Sequence, residues 1–268
     1  MALFKKKVNP DAQGKIFVGK PGYSSQVEGY NRLKDNVLYM NADGNNKVLQ
    51  VESAVAAEGK TTVICNLAVS LGLTDKKVVV VDLDFRRPRV HRLFSLSKDN
   101  GIAEYILGDI DKKDIIKSSE YKNVDIITRG AQVYNSSLVL VSDKFKQLIE
   151  ELRAEYDYVL LDCSPVLQVS DYIHVSKVSD GVLFMAAYAS TTKSQVAEAI
   201  KELKKNGANV LGTVFTMYDR KKDKDLYAGG NYYGYGYGYY GDTSEDEENE
   251  EADDCGDLSE KEQIKTKE

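Results

Sequence analysis

Six short runs dominated by Val, Ile and Leu recur along the chain: Val48 to Val55, Lys77 to Phe85, Val124 to Thr128, Tyr158 to Asp162, Gly181 to Ala187 and Val210 to Met217. Between them lie stretches whose apolar positions follow a helical period, Lys60 to Leu73, Ser142 to Tyr156 and Thr191 to Asn206. The last is followed by Gly207, where a glycine C-cap is expected. A further amphipathic stretch, Ser24 to Met40, precedes the first run. Runs that are apolar almost throughout need cover on both faces, and strands alternating with helices place that cover there. The pattern predicts an α/β fold, a mostly parallel sheet with helices on both faces.

The pattern ends near Asp219, and two segments of different composition follow. Seven of the eighteen tyrosines, Tyr227, Tyr232, Tyr233, Tyr235, Tyr237, Tyr239 and Tyr240, are interleaved with glycines in a stretch with no periodicity that could bury their rings. It reads as a mobile substrate and not as a core element. Residues 242 to 257 then carry ten acidic side chains and no basic one. The net charge of −6 therefore belongs to the tail, since residues 1 to 241 hold 33 basic against 29 acidic side chains, a net of +4. Such a block repels itself and is expected to be disordered. The resulting division is 1–41, an N-terminal helical segment; 42–218, the α/β domain; 219–241, the tyrosine- and glycine-rich tail; and 242–268, the acidic tail.

Composition narrows the chemistry. Cys65, Cys163 and Cys255 are few, odd in number and without a Cys-x-x-Cys pair, against both a disulfide framework and a zinc site. No basic stripe interleaved with aromatics points to nucleic acid. No run approaches the roughly 20 apolar residues of a membrane helix, and Met1 to Lys7 lacks the features of a secretory signal, so a cytosolic location is expected. His91 and His174 are isolated and carry no assigned chemistry.

The first strand runs into Ala54-Val55-Ala56-Ala57-Glu58-Gly59-Lys60-Thr61, the phosphate-loop pattern G-x-x-x-x-G-K-[ST] with alanine at its first glycine. This is the signature of a P-loop NTPase, in which loop amides and a helix N-terminus cradle the phosphates of ATP. Ala57, Glu58, Gly59, Lys60, Thr61 and Thr62 are the candidate nucleotide contacts. Lys60 would neutralise the β and γ oxygens, and the Thr61 hydroxyl would ligate Mg²⁺. Two apolar strands then end in carboxylates, Val78-Val79-Val80-Val81-Asp82-Leu83-Asp84 and Tyr158-Val159-Leu160-Leu161-Asp162. The carboxyl ends of parallel strands border the ligand crevice, and Mg²⁺ takes one or two protein carboxylates beside water and phosphate. Asp162 thus reads as the Walker B position. Period-two alternation sets Asp82 and Asp84 on one face of their strand, and Arg86 and Arg87 follow as candidates to stabilise phosphate charge. Gly236 to Gly241 satisfies G-x-G-x-x-G literally, but without a strand before it or a helix after it no dinucleotide site is expected there.

Taken together, the A-x₄-GK-T-T loop, the Asp82-Leu83-Asp84-Phe85-Arg86 stretch, the Asp162 strand with Ser164-Pro165 after it, and the tail tyrosines resemble the bacterial tyrosine kinases. These are the cytoplasmic partners of polysaccharide co-polymerases in capsule or exopolysaccharide export. The resemblance runs from about Val27 to Tyr240. It implies that Lys60 and Thr61 grip the phosphates, that Asp82 and Asp162 order Mg²⁺, that Arg86 contacts phosphate, and that Asp84 accepts the tyrosyl proton or positions the metal. It also implies autophosphorylation of the tail tyrosines in trans within a ring of subunits, a cognate tyrosine phosphatase, and recruitment to the inner face of the cell membrane through a membrane-bound activator in a separate chain. The tail permits this delivery, because about 15 residues of flexible chain reach roughly 20 Å. No H-R-D loop or D-F-G is present, so a eukaryotic-type kinase is excluded.

The chain departs from that family at several positions. The oligomerisation pattern E-x-x-R-x-x-R appears with Glu28 kept but Asn31 and Lys34 in place of arginines. Thr216 stands where the family places Asn in the last strand, and Ser136 replaces a proline in the segment from Gly130 to Leu138. Two other functions share the fold. One is a nucleotide-binding scaffold. The other is an ATPase switch of the MinD and ParA kind, which has lysine at the second loop position, where this chain has Val55.

Overall fold

The computed structural model describes residues 14–188 and 190–218. The acceptor tyrosines and the acidic block lie outside the described residues. The seven strands are β1 (Val48–Ser53), β2 (Val78–Asp82), β3 (Ile116–Ser118), β4 (Val124–Ile127), β5 (Tyr158–Asp162), β6 (Gly181–Ala187) and β7 (Val210–Thr216), in the order β3-β4-β2-β5-β1-β6-β7. Every pairing is parallel except that of β3 with β4, an antiparallel edge strand absent from the expected set. All six strands read from the apolar runs are present. The first three and the last end one to three residues early, where the chain turns toward the ligand side of the sheet.

The alternation along each strand explains why the runs are continuous. Val78 and Val80 of β2, Leu160 of β5 and Leu183 and Met185 of β6 join a core formed with α1 (Ser24–Met40) and α2 (Lys60–Gly72) on one face. Val79, Val81, Val159 and Leu161 face the opposite way, against α7 (Asp143–Glu155). On that second face Val182 and Phe184 pack with Ala199 and Leu203 of α9 (Lys193–Lys205). Ser142 caps α7 by accepting from Phe145 N, and Thr192 caps α9 reciprocally with Gln195. Five short helices were not expected: α3 (Val90–Leu93), α4 (Ile102–Leu107), α5 (Lys112–Ile115), α6 (Ser136–Val141) and α8 (Tyr172–Val175). At four to six residues they are too brief for a helical period to show in sequence.

α2 is buried along nearly its whole length. Its Asn66 accepts from Phe17 N at 2.7 Å and Val18 N at 3.2 Å, and donates to Lys15 O and Thr62 O, both at 2.8 Å. This buried amide ties the segment before α1 to the helix that leaves the phosphate loop. At the other end of α2, a Cβ on Gly72 would come within 2.5 Å of Lys122 O and 2.8 Å of Val124 Cγ2. Backbone cannot yield as a flexible side chain can, so Gly72→Ala is expected to cost about 1–3 kcal/mol. Calorimetry of the full chain would read this as a lower melting temperature; an unchanged one would show that α2 has room to shift.

Candidate active site

The phosphate loop is closed by its own glutamate. Glu58 is 2% exposed; its Oε2 accepts from Val55 N at 2.6 Å and its Oε1 from Ala187 N at 3.2 Å and from the Thr191 hydroxyl. Thr216 donates to Glu58 O at 2.7 Å, pinning the loop to the end of β7. The expected nucleotide contact at Glu58 therefore reduces to its backbone, because its side chain is spent inside the protein. Ala57 and Gly59 both take left-handed φ, 67° and 86°. That conformation is ordinary for glycine and unusual for alanine, so the loop holds Ala57 against its preference. Among the described residues the amides of Ala56, Ala57, Gly59, Lys60 and Thr61 have no protein acceptor. A row of free N–H groups at a helix N-terminus suits the oxygens of a triphosphate.

Lys60 is 7% exposed and donates through Nζ to Ser53 Oγ at 2.9 Å; Ser53 in turn donates to Val55 O at 2.8 Å. Thr61 donates to Asp162 Oδ2 at 2.7 Å, while Asp162 Oδ1 is buried with no partner among the described residues. Thr62 packs against the segment before α1, since a Cβ on Gly14 would lie 2.4 Å from its Oγ1.

β2 and β5 run in register with Asp82 beside Asp162, both fully buried. β2 ends at Asp82, so the alternation expected to carry Asp84 onto the same face stops short of it. Asp84 returns instead through a turn, its amide donating to Asp82 Oδ1 at 3.2 Å. Asp82 Oδ2 accepts from Arg89 N and Val90 N, each at 3.2 Å. Asp84 Oδ1 accepts from Arg86 N at 3.2 Å, Arg87 N at 2.9 Å and Ser164 Oγ at 3.0 Å. Its Oδ2 has no partner among the described residues. Asp82 thus holds the turn, and the turn presents Asp84. Arg86 lies exposed at its crest.

Burial pushes both strand-end carboxyls upward. For Asp82, burial is followed by repulsion from Asp162 and Asp84; for Asp162, burial is partly offset by Lys60 and the Thr61 hydroxyl. Two buried acids side by side favour a cation between them and the phosphates. The described residues hold no cluster of three or more His, Cys, Asp or Glu fit for a metal ion. Thr61 and Asp162, with one carboxylate oxygen free, nevertheless match the sparse protein ligation of Mg²⁺, which draws its other ligands from phosphate and water. Mg²⁺ held there would neutralise charge on the transferring phosphoryl group.

Of the three expected interface residues, Glu28 is exposed and pairs with Arg32 at 3.1 Å. Asn31 instead faces α2, accepting from Ser70 Oγ at 3.3 Å, and the Lys34 side chain is only 16% exposed. Ser53, Ser164 and Thr216 complete the site, and none was singled out as a site residue from sequence. Ser164 and Thr216 act on partners brought to them by strand order, which no local pattern reveals, whereas Ser53 acts within the loop's own stretch.

Residues 47–212 match the AAA domain family. Tyrosine-protein kinase YwqD of Bacillus subtilis (strain 168) is 30% identical over 241 residues, covering 90% of this chain and 97% of that protein. The chain belongs to the bacterial tyrosine kinases. These are enzymes of the protein-tyrosine kinase class. Tyrosine-protein kinase etk of Escherichia coli (strain K12) is 31% identical over 190 residues, 71% of this chain but 26% of its own length. The solved kinase domain of Escherichia coli tyrosine kinase ETK superposes with a TM-score of 0.71 at 29% identity, covering 79% of this chain and 80% of that domain. The septum site-determining protein MinD of Pyrococcus horikoshii, complexed with Mg-ADP, gives a TM-score of 0.57 at 25% identity, covering 66% and 72%. The kinase domain is therefore the nearer of these two solved folds. No helix among the described residues is long and apolar enough to cross a membrane.

Proposed function

We propose that this bacterial tyrosine kinase is an ATP-dependent autokinase that phosphorylates the tyrosine cluster of its own C-terminal tail, in trans within a homo-oligomer. The observation that carries this reading is the convergence of the Thr61–Asp162 pair with the presented Asp84, beside loop amides that have no acceptor among the described residues. The phenolic oxygen of a tail tyrosine forms a bond to the γ-phosphorus as the bond to the β–γ bridging oxygen breaks. ADP leaves, and the phenolic proton passes to Asp84 Oδ2. Lys60 neutralises the phosphate oxygens, and Asp82 holds the turn that aims Asp84. Catalysis of this kind rests on position and charge.

The wider role follows from the family. The chain would act with a membrane-bound polysaccharide co-polymerase in a separate chain, at the inner face of the membrane, controlling capsule or extracellular polysaccharide synthesis, with a tyrosine phosphatase resetting the tail. Glu28 and Arg32, exposed on α1, are the side chains best set to contact a neighbouring subunit. Val55, in place of the lysine of MinD and ParA ATPases, weighs against a switch, and the acceptor tyrosines weigh against a scaffold. The purified chain, incubated with ATP and Mg²⁺, is expected to acquire phosphotyrosine. A chain truncated after Asp219 is expected to bind nucleotide and stay unlabelled. Nucleotide binding without labelling of the full chain would overturn the kinase reading in favour of a scaffold.

A further inference from the structure

We propose that the arginine-rich turn after β2 is a docking site for an acidic peptide, and that its occupant is the acidic segment 242–257 of a second copy of this chain. The proposal rests on the autokinase reading and adds to it a means of substrate selection.

The turn sorts its charges by sign. Asp82 is buried and accepts from the amides of Asp84, Arg89 and Val90, while Asp84 Oδ1 accepts from Arg86 N, Arg87 N and Ser164 Oγ, leaving its Oδ2 to the site. Arg86, Arg87, Arg89 and Arg92 are exposed. Among the described residues none of the four guanidinium groups forms a hydrogen bond or a salt bridge, although Arg89 lies near enough to Asp162 to help hold its carboxyl down. Behind them Arg129, 8% exposed, is held by carbonyls alone, donating to Gly130 O at 3.1 Å and Phe85 O at 3.2 Å. Lys117 likewise binds Ser97 O, Asp99 O and Thr128 Oγ1. Between Arg89 and Arg92, the His91 ring feels this surplus: after burial, Arg92, Lys98, Arg129 and Lys117 all hold its pKa down.

A cleft of about 310 Å³ opens beside the turn, with Arg86 on one wall and Tyr134, Ser137 and Gln168 among its other walls. Its only acid, Asp171, is 4% exposed and accepts the Ser136 hydroxyl at 2.9 and 2.8 Å. The exposed charge on the cleft wall is that of Arg86. Unpaired arginines at the rim of a polar cleft select anions, and a peptide is favoured because the cationic turn continues past the cleft. The tail offers the complement: ten acids and no base, beginning two residues after Tyr240. At up to about 3.3–3.6 Å per residue, acids seated on the turn leave the nearest tyrosines within reach of Asp84.

The test uses the full chain and three synthetic peptides, 227–257, 227–241 and the tyrosine-free 242–257 with Cys255 kept reduced. Fluorescence anisotropy is expected to show 242–257 binding at low salt, weakened about threefold or more by Arg92→Glu and further by added salt. Arg92 is not placed in the catalytic machinery. With the same enzyme, 227–257 is expected to show a KM roughly five- to tenfold below that of 227–241 at equal kcat, a gap the Arg92→Glu variant narrows. Equal KM values, or binding indifferent to Arg92, would overturn the proposal. Binding of 242–257 that depends on Arg92, without labelling of either tyrosine peptide, would uphold the docking site and overturn the autokinase reading.

Discussion

Lys60→Met is expected to lower the rate of phosphotyrosine formation by about 10²- to 10³-fold, the loss typical of removing one preorganised charge from a dry site. Lys60 is nearly buried at the head of α2, and its Nζ donates to Ser53 Oγ. Removing it leaves the loop's own scaffold intact, since Glu58, Thr191 and Thr216 close that loop without it. The charge it adds lies beside Asp162, whose carboxyl it draws down against the upward push of burial. Two consequences separate a catalytic role from a structural one. Thermal unfolding of the variant should remain close to that of the parent, and single-turnover labelling at saturating ATP should still be slow. A variant within about threefold of the parent rate would mean that the amides and Mg²⁺ carry the phosphates alone.

The parts of the site written in one stretch of chain were legible in sequence. The phosphate loop is eight consecutive residues between a strand and a helix, and Asp162 ends an apolar run, so neighbours in sequence carry the whole signal. What was hidden depends on register. Ser164 reaches Asp84 across 80 residues and Thr216 reaches Glu58 across 158, through strands whose order no local pattern encodes. The fold shows the same division. Long buried strands were read correctly, whereas the three-residue β3, half-exposed and with Lys117 at its centre, carries too little apolar signal. The contact of Asn31 with Ser70 is hidden for a related reason: a motif fixes spacing along α1, not what α2 sets opposite it.

One strand that was read correctly departs from the apolar pattern inside. β1 reads Val-Leu-Gln-Val-Glu-Ser and every position is buried, so Gln50 and Glu52 place polar groups where β5 and β6 flank the strand on both sides. Gln50 has partners at both ends of its amide, accepting from the Ser176 and Ser179 hydroxyls at 3.1 Å each and donating to Glu52 Oε1 at 2.6 Å. The Glu52 Oε2, by contrast, is buried without a partner among the described residues. A carboxylate so placed loses more solvation than one amide hydrogen bond restores.

Glu52→Gln is accordingly expected to stabilise the protein at pH 8 by on the order of 3 to 5 kcal/mol and to flatten its stability against pH. Burial raises the Glu52 carboxyl to about 8, opposed first by the Gln50 hydrogen bond, then by Lys60 and Cys163, and aided by Asp162. Between about 4.5 and about 8 the folded chain keeps a proton that the unfolded chain has released. The unfolded state therefore binds fewer protons in that window, and stability falls as pH rises through it. Below about 4.5 both states are protonated, and above about 8 both are ionised, so the contribution levels off at each end. Glutamine keeps the shape and cannot ionise. Buried Asp82 and Asp162 titrate in the same direction and remain in both proteins, so the difference between parent and variant isolates Glu52. Denaturant unfolding at pH 5 and pH 8 decides the matter. Parallel lines for the two proteins would mean that water or a shifted backbone solvates the ionised Glu52 side chain, whereas convergence toward low pH would locate the lost stability in its carboxyl, directly beneath the phosphate loop.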